Sequence, residues 1–304
     1  MILTKNQKES LLPVSIDRER LNRILSKHLK MKKILEQGEK NYYDEEKDFR
    51  IVEQYYSGID FNDNQILVSM EKLLKETHTN QVGYDPSEYV YPWVDLGPDG
   101  NLKSIYSGEN RQAEDVIKED YEATLKRKDK INKMDTVQKV GWDKVLEIAN
   151  EFPYNCEHVV PQSWFNEQQP MRGDIHHLFT CDPNCNSLRS NYPYHDFSDY
   201  NPQFVESQRV TDTCGKADEG LFEPEYGKGT AARAMLYFMI RYPDEIEQHH
   251  KDAIDTELLL EWHQQFLPEL YEKHRNQAIY EIQGNRNPFI DFPNEMSDLL
   301  RKYL

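Results

Sequence analysis

The sequence predicts an α+β domain dominated by helices, and three features of its 304 residues carry that prediction. Apolar residues recur at helical spacing towards both ends, a short central stretch reads as strand, strand, helix, and no internal repeat or low-complexity linker divides the chain. The charged fraction is 30% and the mean hydropathy −0.87, and no run of about 18 apolar residues offers a membrane span. The N-terminus breaks its few apolar residues with charges and amides and so lacks the apolar centre of a secretory leader. A cytoplasmic protein, or one exported without such a leader, is the expectation from these residues.

In chain order, the first expected element is basic. Residues 1–33 hold nine Lys and Arg against three Asp and Glu, and Leu21, Ile24, Leu25 and Leu29 recur at helical spacing among Arg18, Arg20, Arg23, Lys27, Lys30 and Lys33. A basic helical arm over 1–45 is therefore set apart from a main domain over 46–304, either docked with its basic face solvated or clamping a nucleic-acid backbone. Asp63 or Asn64 is expected to cap a core helix running through Ile66, Leu67, Met70, Leu73 and Leu74. A Pro-Asp-Gly turn precedes a short strand in 95–107. Residues 112–152 read as mostly helical, with Trp142, Val145, Leu146 and Ile148 as the clearest apolar face. After a loop-rich stretch, Thr230 is expected to cap a helix that stops at Pro243, followed by helices over 256–266 and 269–282 and a short helical tail.

Charge and cysteine content bound the function. A net charge of −17 opposes sequence-independent nucleic-acid binding by a broadly positive surface, unless a protein-held cation supplies local positive charge. Cys156, Cys181, Cys185 and Cys214 allow up to two disulfides or buried thiols, and their spacing lacks the paired CxxC pattern of a structural zinc site.

The chemistry concentrates between Asn155 and Asn191. In NCEHVVPQSWF, Glu157 stands beside His158, and strand alternation sends neighbouring side chains to opposite faces. The two can serve one site only if the strand ends or bends there, which Pro161 favours. In MRGDIHHLFTCDPNCNSLRSN, Asp174 and His176 share a strand parity, and Pro183 can open a helix carrying Asn184, Asn186, Arg189 and Asn191. Phosphodiester hydrolysis needs an activated water, positive charge at the phosphate and stabilisation of the leaving oxygen. A neutral imidazole (His158) and a hard cation on oxygen ligands (Glu157 and Asn186) meet those needs.

These residues resemble the endonuclease I family of the ββα-metal, or His-Me finger, nucleases. The resemblance rests on NCEHVVPQSWF, DIHHL and NSLRSN, with HTN, YDPSEY and IYSGE upstream and EWH and GNRNPFIDFP downstream, and extends from about Tyr55 to Asn294. It implies a ββα-metal core at about 154–192 and an endonuclease cutting DNA, RNA or both with little sequence preference to 5′-phosphate and 3′-hydroxyl ends. It further implies His158 as general base, and Glu157 and Asn186 as ligands of Mg²⁺, for which Ca²⁺ or Mn²⁺ can substitute; Asn186 lies twelve residues after Asp174, as the family spacing asks. Arg172 is the first candidate for the arginine that contacts the phosphate and Arg189 the second. Similar family members are often secreted or periplasmic.

Plainer roles stand beside these. Asp174 and His176 are expected to orient the site through hydrogen bonds, with additional metal ligation as the alternative, and His177, on the opposite strand face, to serve in packing or hydrogen bonding. Trp164 and Phe165 read as core, and Cys156 as a bystander, since the chemistry needs no covalent step. Two other functions compete: a catalytically silent scaffold that binds nucleic acid or a partner, and a phosphodiesterase for small phosphate esters, which the acidic charge would suit.

Overall fold

The computed structural model describes residues 12, 15–38, 42–135, 147–149, 151–200 and 214–302. Helices dominate, and each of the three sheets found among these residues is a single antiparallel pair of strands. The architecture is α+β, as the sequence predicts.

The basic segment forms helix α1 (Arg18–Glu36), started by Asp17, whose side chain accepts from the Glu19 amide. Ile24 and His28 are buried on its inner face, and Leu21 and Leu25 pack beside them. The helix is docked, and its cations turn to acidic partners: Arg20 lies 2.6 Å from Asp85 and 3.3 Å from Glu88, and Lys32 3.9 Å from Glu114. Helices α2 (Glu45–Tyr55) and α3 (Ile66–Thr77) follow. The expected cap of α3 is displaced. Asp63 Oδ1 accepts from the Gln65 amide in a turn one step upstream, so Gln65 stands at the cap position without a side-chain bond.

A short helix, α4 (Pro86–Tyr89), capped by Asp85, runs into a π-helical turn over Val90–Val94. Strands β1 (Leu102–Lys103) and β2 (Asn110–Arg111) then pair, and α5 (Ala113–Asp135) supplies the first part of the long helical stretch. Trp142, Val145 and Leu146 lie outside the described residues; Ile148 is buried.

The middle of the chain holds β3 (Cys156–His158), β4 (Leu178–Thr180) and α6 (Pro183–Arg189), with Pro183 in the first turn and Asp182 capping. Residues 174–177, expected as strand, form instead a 3-10 turn over Ile175–His177, because the Asp174 side chain accepts from the His176 amide and closes the backbone locally. Strand parity therefore does not relate Asp174 to His176. A hairpin of β5 (Gly215–Asp218) and β6 (Leu221–Pro224) follows.

Helix α7 (Lys228–Arg241) begins two residues before Thr230: Gly227, at φ 73°, takes the cap position, where a Cβ would strike the Ile105 carbonyl. It ends just ahead of Pro243 as expected. Helices α8 (Thr256–Gln265) and α9 (Leu270–Gln283) match expectation to within one residue, and α10 (Pro288–Asp291) and α11 (Pro293–Arg301) close the fold. Arg233 of α7 makes a two-pronged pair with Glu272 of α9, at 2.8 and 2.6 Å, inside the core.

Two apolar clusters result. One surrounds the buried α7 and includes Val159, Phe165 and Phe179; the other lies beneath α1 and α5 and includes Cys156 and Leu178. The β3–β4 pair thus lies between them, anchored on both sides.

His263 of α8 tests this packing. Its Nε2 donates to the Pro293 carbonyl at 2.8 Å, and burial lowers its imidazole from 6.5 to about 4 despite that bond. Between those values the unfolded chain takes up a proton that the folded chain refuses, so the imidazole's contribution is complete above about 6.5 and declines as pH falls towards 4. The stability advantage of wild type over His263→Gln, measured by denaturant unfolding, is expected to shrink between pH 7 and pH ~4.5; a constant difference would mean His263 titrates alike in both states.

Candidate active site

The site is built on the end of β3. Asn155 fixes where the strand starts: its amide N–H and its side chain both donate to the buried Asp120 of α5, at 2.9 Å each. Pairing sets Cys156 against Thr180, Glu157 against Phe179 and His158 against Leu178. The strand stops at His158, as the two-sided use of Glu157 and His158 requires, and the backbone turns away towards Pro161.

Glu157 is buried among phenols and a guanidinium. Its Oε1 accepts from Tyr106 Oη at 2.7 Å and lies 3.4 Å from Arg189 Nε. Burial raises its carboxyl to about 7, against the pull of Arg189 and the Tyr106 bond. From α6, Asn186 Nδ2 donates to the Cys156 carbonyl at 3.1 Å. Because a carbonyl only accepts, this bond fixes the amide orientation and turns Oδ1 away from that backbone atom. Arg189, one turn further on, is fully buried: Nη2 donates to the Val159 carbonyl at 2.7 Å and Nη1 to that of Ser190 at 3.2 Å. Glu157, Asn186 and Arg189 thus gather along one strand end, with Arg189 supporting Glu157 rather than facing solvent.

His158 lies beside a different arginine. Its Nε2 is 3.0 Å from the Arg172 carbonyl, and its ring packs 4.6 Å from Tyr84 and 5.3 Å from His177, centroid to centroid. Burial, reinforced by His177, pushes its imidazole well below 6.5, so it is neutral at pH 7. Arg172 Nε donates to Gln162 Oε1 at 2.7 Å, and its guanidinium sits over the Tyr84 ring. Arg172 is only half-buried and is therefore the arginine with solvent access.

Asp174 and His176 sit deeper. Asp174 Oδ2 accepts from Tyr237 at 2.8 Å and Tyr242 at 2.9 Å, and Oδ1 from Gln283 at 3.0 Å and the His176 amide at 3.1 Å. Burial opposes its ionisation, but His176, His78, His177 and the Gln283 amide outweigh it and hold the carboxyl well below the usual range. His176 Nε2 is 3.3 Å from the Asn285 carbonyl. His177 packs against Phe165 and Phe238, as expected. Trp164 and Phe165 are core residues.

The cysteines divide. Cys185 of α6 is bonded to Cys214, just before β5, while Cys156 and Cys181 are buried free thiols. Burial pushes the Cys156 thiol well above 9, which removes it as a nucleophile. A cavity of about 650 Å³ opens elsewhere, between the β1 region and the α8–α9 connection, and Glu157, His158 and Asn186 do not line it.

The sequence profile of the family described as Endonuclease I matches residues 62–294, most of the chain. The chain belongs to the Endonuclease I family. An extracellular deoxyribonuclease of Aeromonas hydrophila is 31% identical over 155 residues, covering 44% of this chain and 64% of the relative. An extracellular ribonuclease of Bacillus subtilis (strain 168) is 33% identical over 167 residues, covering 49% of this chain and 55% of the relative. A periplasmic deoxyribonuclease of Aeromonas hydrophila is 29% identical over 155 residues, covering 44% and 62%. The chain thus spans between about half and two thirds of these relatives' length.

Within this Endonuclease I chain, Tyr84, Tyr106, Gln162 and Tyr194 join the site without having been singled out from sequence. Tyr84 and Tyr106 lie in the YDPSEY and IYSGE segments, whose resemblance marked them without giving a role. Tyr194 Oη is 2.7 Å from Tyr106 Oη, extending the chain that ends on Glu157. Asp174→Asn is expected to set an amide N–H against existing donors and destabilise the fold by about 2–4 kcal/mol. Urea unfolding measures this, and an unchanged midpoint would deny Asp174 its organising role.

Proposed function

We propose that this chain is a metal-dependent endonuclease that hydrolyses phosphodiester bonds in DNA, RNA or both with little sequence preference, using β3, β4 and α6 as a ββα-metal core. The contact between His158 and the Arg172 carbonyl carries the proposal. With Nε2 donating to that carbonyl, Nε2 bears the ring proton and Nδ1 keeps the lone pair. A neutral imidazole held in one tautomer is a general base for water. Arg172 supplies both the carbonyl that orients this base and the guanidinium proposed to meet the phosphate, so the two functions share one residue's position.

Glu157 and Asn186 offer a carboxylate and an amide oxygen, a donor set suited to a hard cation such as Mg²⁺, with Ca²⁺ or Mn²⁺ as substitutes. The orientation of the Asn186 amide supports that fit, since its nitrogen is already committed to Cys156. When bound, such an ion polarises the phosphate and stabilises the departing oxygen. Tyr106 and Arg189 hold the Glu157 carboxylate, and Asp174 and His176 anchor the segment leading into β4. Family membership supports 5′-phosphate and 3′-hydroxyl products. The names of the relatives, two deoxyribonucleases and a ribonuclease, support a nucleic-acid substrate with either sugar. Their extracellular and periplasmic designations, together with the Cys185–Cys214 bond, support action in an oxidising compartment.

Incubation with plasmid DNA and with RNA is expected to give cleavage in Mg²⁺ and none in EDTA, with activity restored by excess Mg²⁺. Binding without cleavage would point to the silent scaffold, and turnover confined to small esters to the third function. His158→Ala is expected to lose at least ~10² in turnover while retaining its melting temperature and Mg²⁺ binding. Near-normal turnover would remove His158 from the chemistry.

A further inference from the structure

One group of described side chains outside the Glu157 region brings three metal-ligating atoms together. Ligand atoms of Glu247, His249 and His250 lie within 4.8 Å of one another, at the helical turn Gln248–Lys251. Glu247 is held from outside the group: its Oε1 accepts from Asn166 Nδ2 at 2.8 Å, while its Oε2 lies 3.6 Å from His249 Nδ1. The rings of His249 and His250 are 3.8 Å apart, and His250 stacks on Trp164 at 5.0 Å with an interplanar angle of 15°. One ligand's carboxylate and another's ring are thus fixed before any ion arrives. His249 is 67% exposed, which leaves an open path for an ion.

We propose that Glu247, His249 and His250 form a second metal site, separate from Glu157 and Asn186, for a borderline transition-metal ion of the Zn²⁺ class. Two imidazoles and a carboxylate match the preference of such ions, whereas Mg²⁺ prefers an all-oxygen set. Three protein ligands leave a fourth position for water or for a group on another molecule. The site would also brace the segment that holds Arg172. The Glu247 amide donates to the Trp164 carbonyl at 2.9 Å, and Trp164 shares the 3-10 turn Gln162–Phe165 with Gln162, the acceptor of Arg172 Nε.

The test is calorimetric titration of the full chain with ZnCl₂ in the presence of millimolar Mg²⁺. One equivalent of Zn²⁺ is expected to bind, with affinity reduced at least ~10-fold in His249→Ala and in His250→Ala, and about 10-fold in Asn166→Ala through loss of the bond that orients Glu247. Glu157→Gln is expected to retain Zn²⁺ binding, which separates this site from the proposed catalytic one. His249 is exposed and His250 half-buried against Trp164, and the variants' melting temperatures without Zn²⁺ verify that the fold is intact. Absence of Zn²⁺ binding to the wild-type chain, or an isotherm unchanged in the His249→Ala/His250→Ala double variant, overturns the proposal.

Discussion

Asp174 ties together parts of the chain that are far apart in sequence. Its two oxygens accept from Tyr237 and Tyr242, from Gln283 at the end of α9, and from the backbone of the turn it opens. A buried carboxylate is costly unless its lone pairs are filled, so these donors must come together for the fold to close. The Ile175 amide donates to Gln283 as well, at 2.7 Å, so the same glutamine grips both the carboxylate and the backbone beside it. Four residues downstream of Asp174, β4 begins, and its pairing with β3 sets the position of Glu157 and His158.

Around that anchor the neighbours of β3 have divided tasks. Phenols and a buried guanidinium surround Glu157, whereas the Tyr84 and His177 rings and a carbonyl surround His158. The carboxylate is therefore cradled by donors, and the imidazole by one acceptor and two aromatic rings. Burial acts on both in the same sense, raising the Glu157 carboxyl to about 7 and lowering the His158 imidazole, while the donors around Glu157 pull its carboxyl back down. The strand pair itself is packed between two apolar clusters.

Much of this was legible in the sequence because it rests on local chemistry. Pro183 and Asp182 mark the start of α6, helical periodicity marks α1, α3, α8 and α9, and the adjacency of Glu157 and His158 marks the candidate site. What escaped depends on contacts made at a distance or on backbone closed by a side chain. The turn over Ile175–His177 follows from Asp174 folding back on its own chain, which overrides the strand pattern of the surrounding residues. Gly227, not Thr230, stands at the start of α7, and its positive φ and the approach of Ile105, which leaves no room for a Cβ, require glycine there. Tyr106 and Gln162 carry no signature of their own, since a tyrosine or glutamine gains its role only from what lies across the fold. The two arginines show the same division: sequence offered Arg172 and Arg189 alike, and only burial tells them apart.

The docked α1 helix changes how charge is presented to the outside. Arg20 and Lys32 are engaged with Asp85, Glu88 and Glu114, so part of the helix's positive charge is offset by acidic partners while the net charge stays at −17. A polyanion approaching such a molecule meets repulsion at long range. Dissolved salt shortens the reach of that repulsion, so moderate ionic strength eases first encounter, the reverse of its effect on proteins that gather nucleic acid with an open basic face.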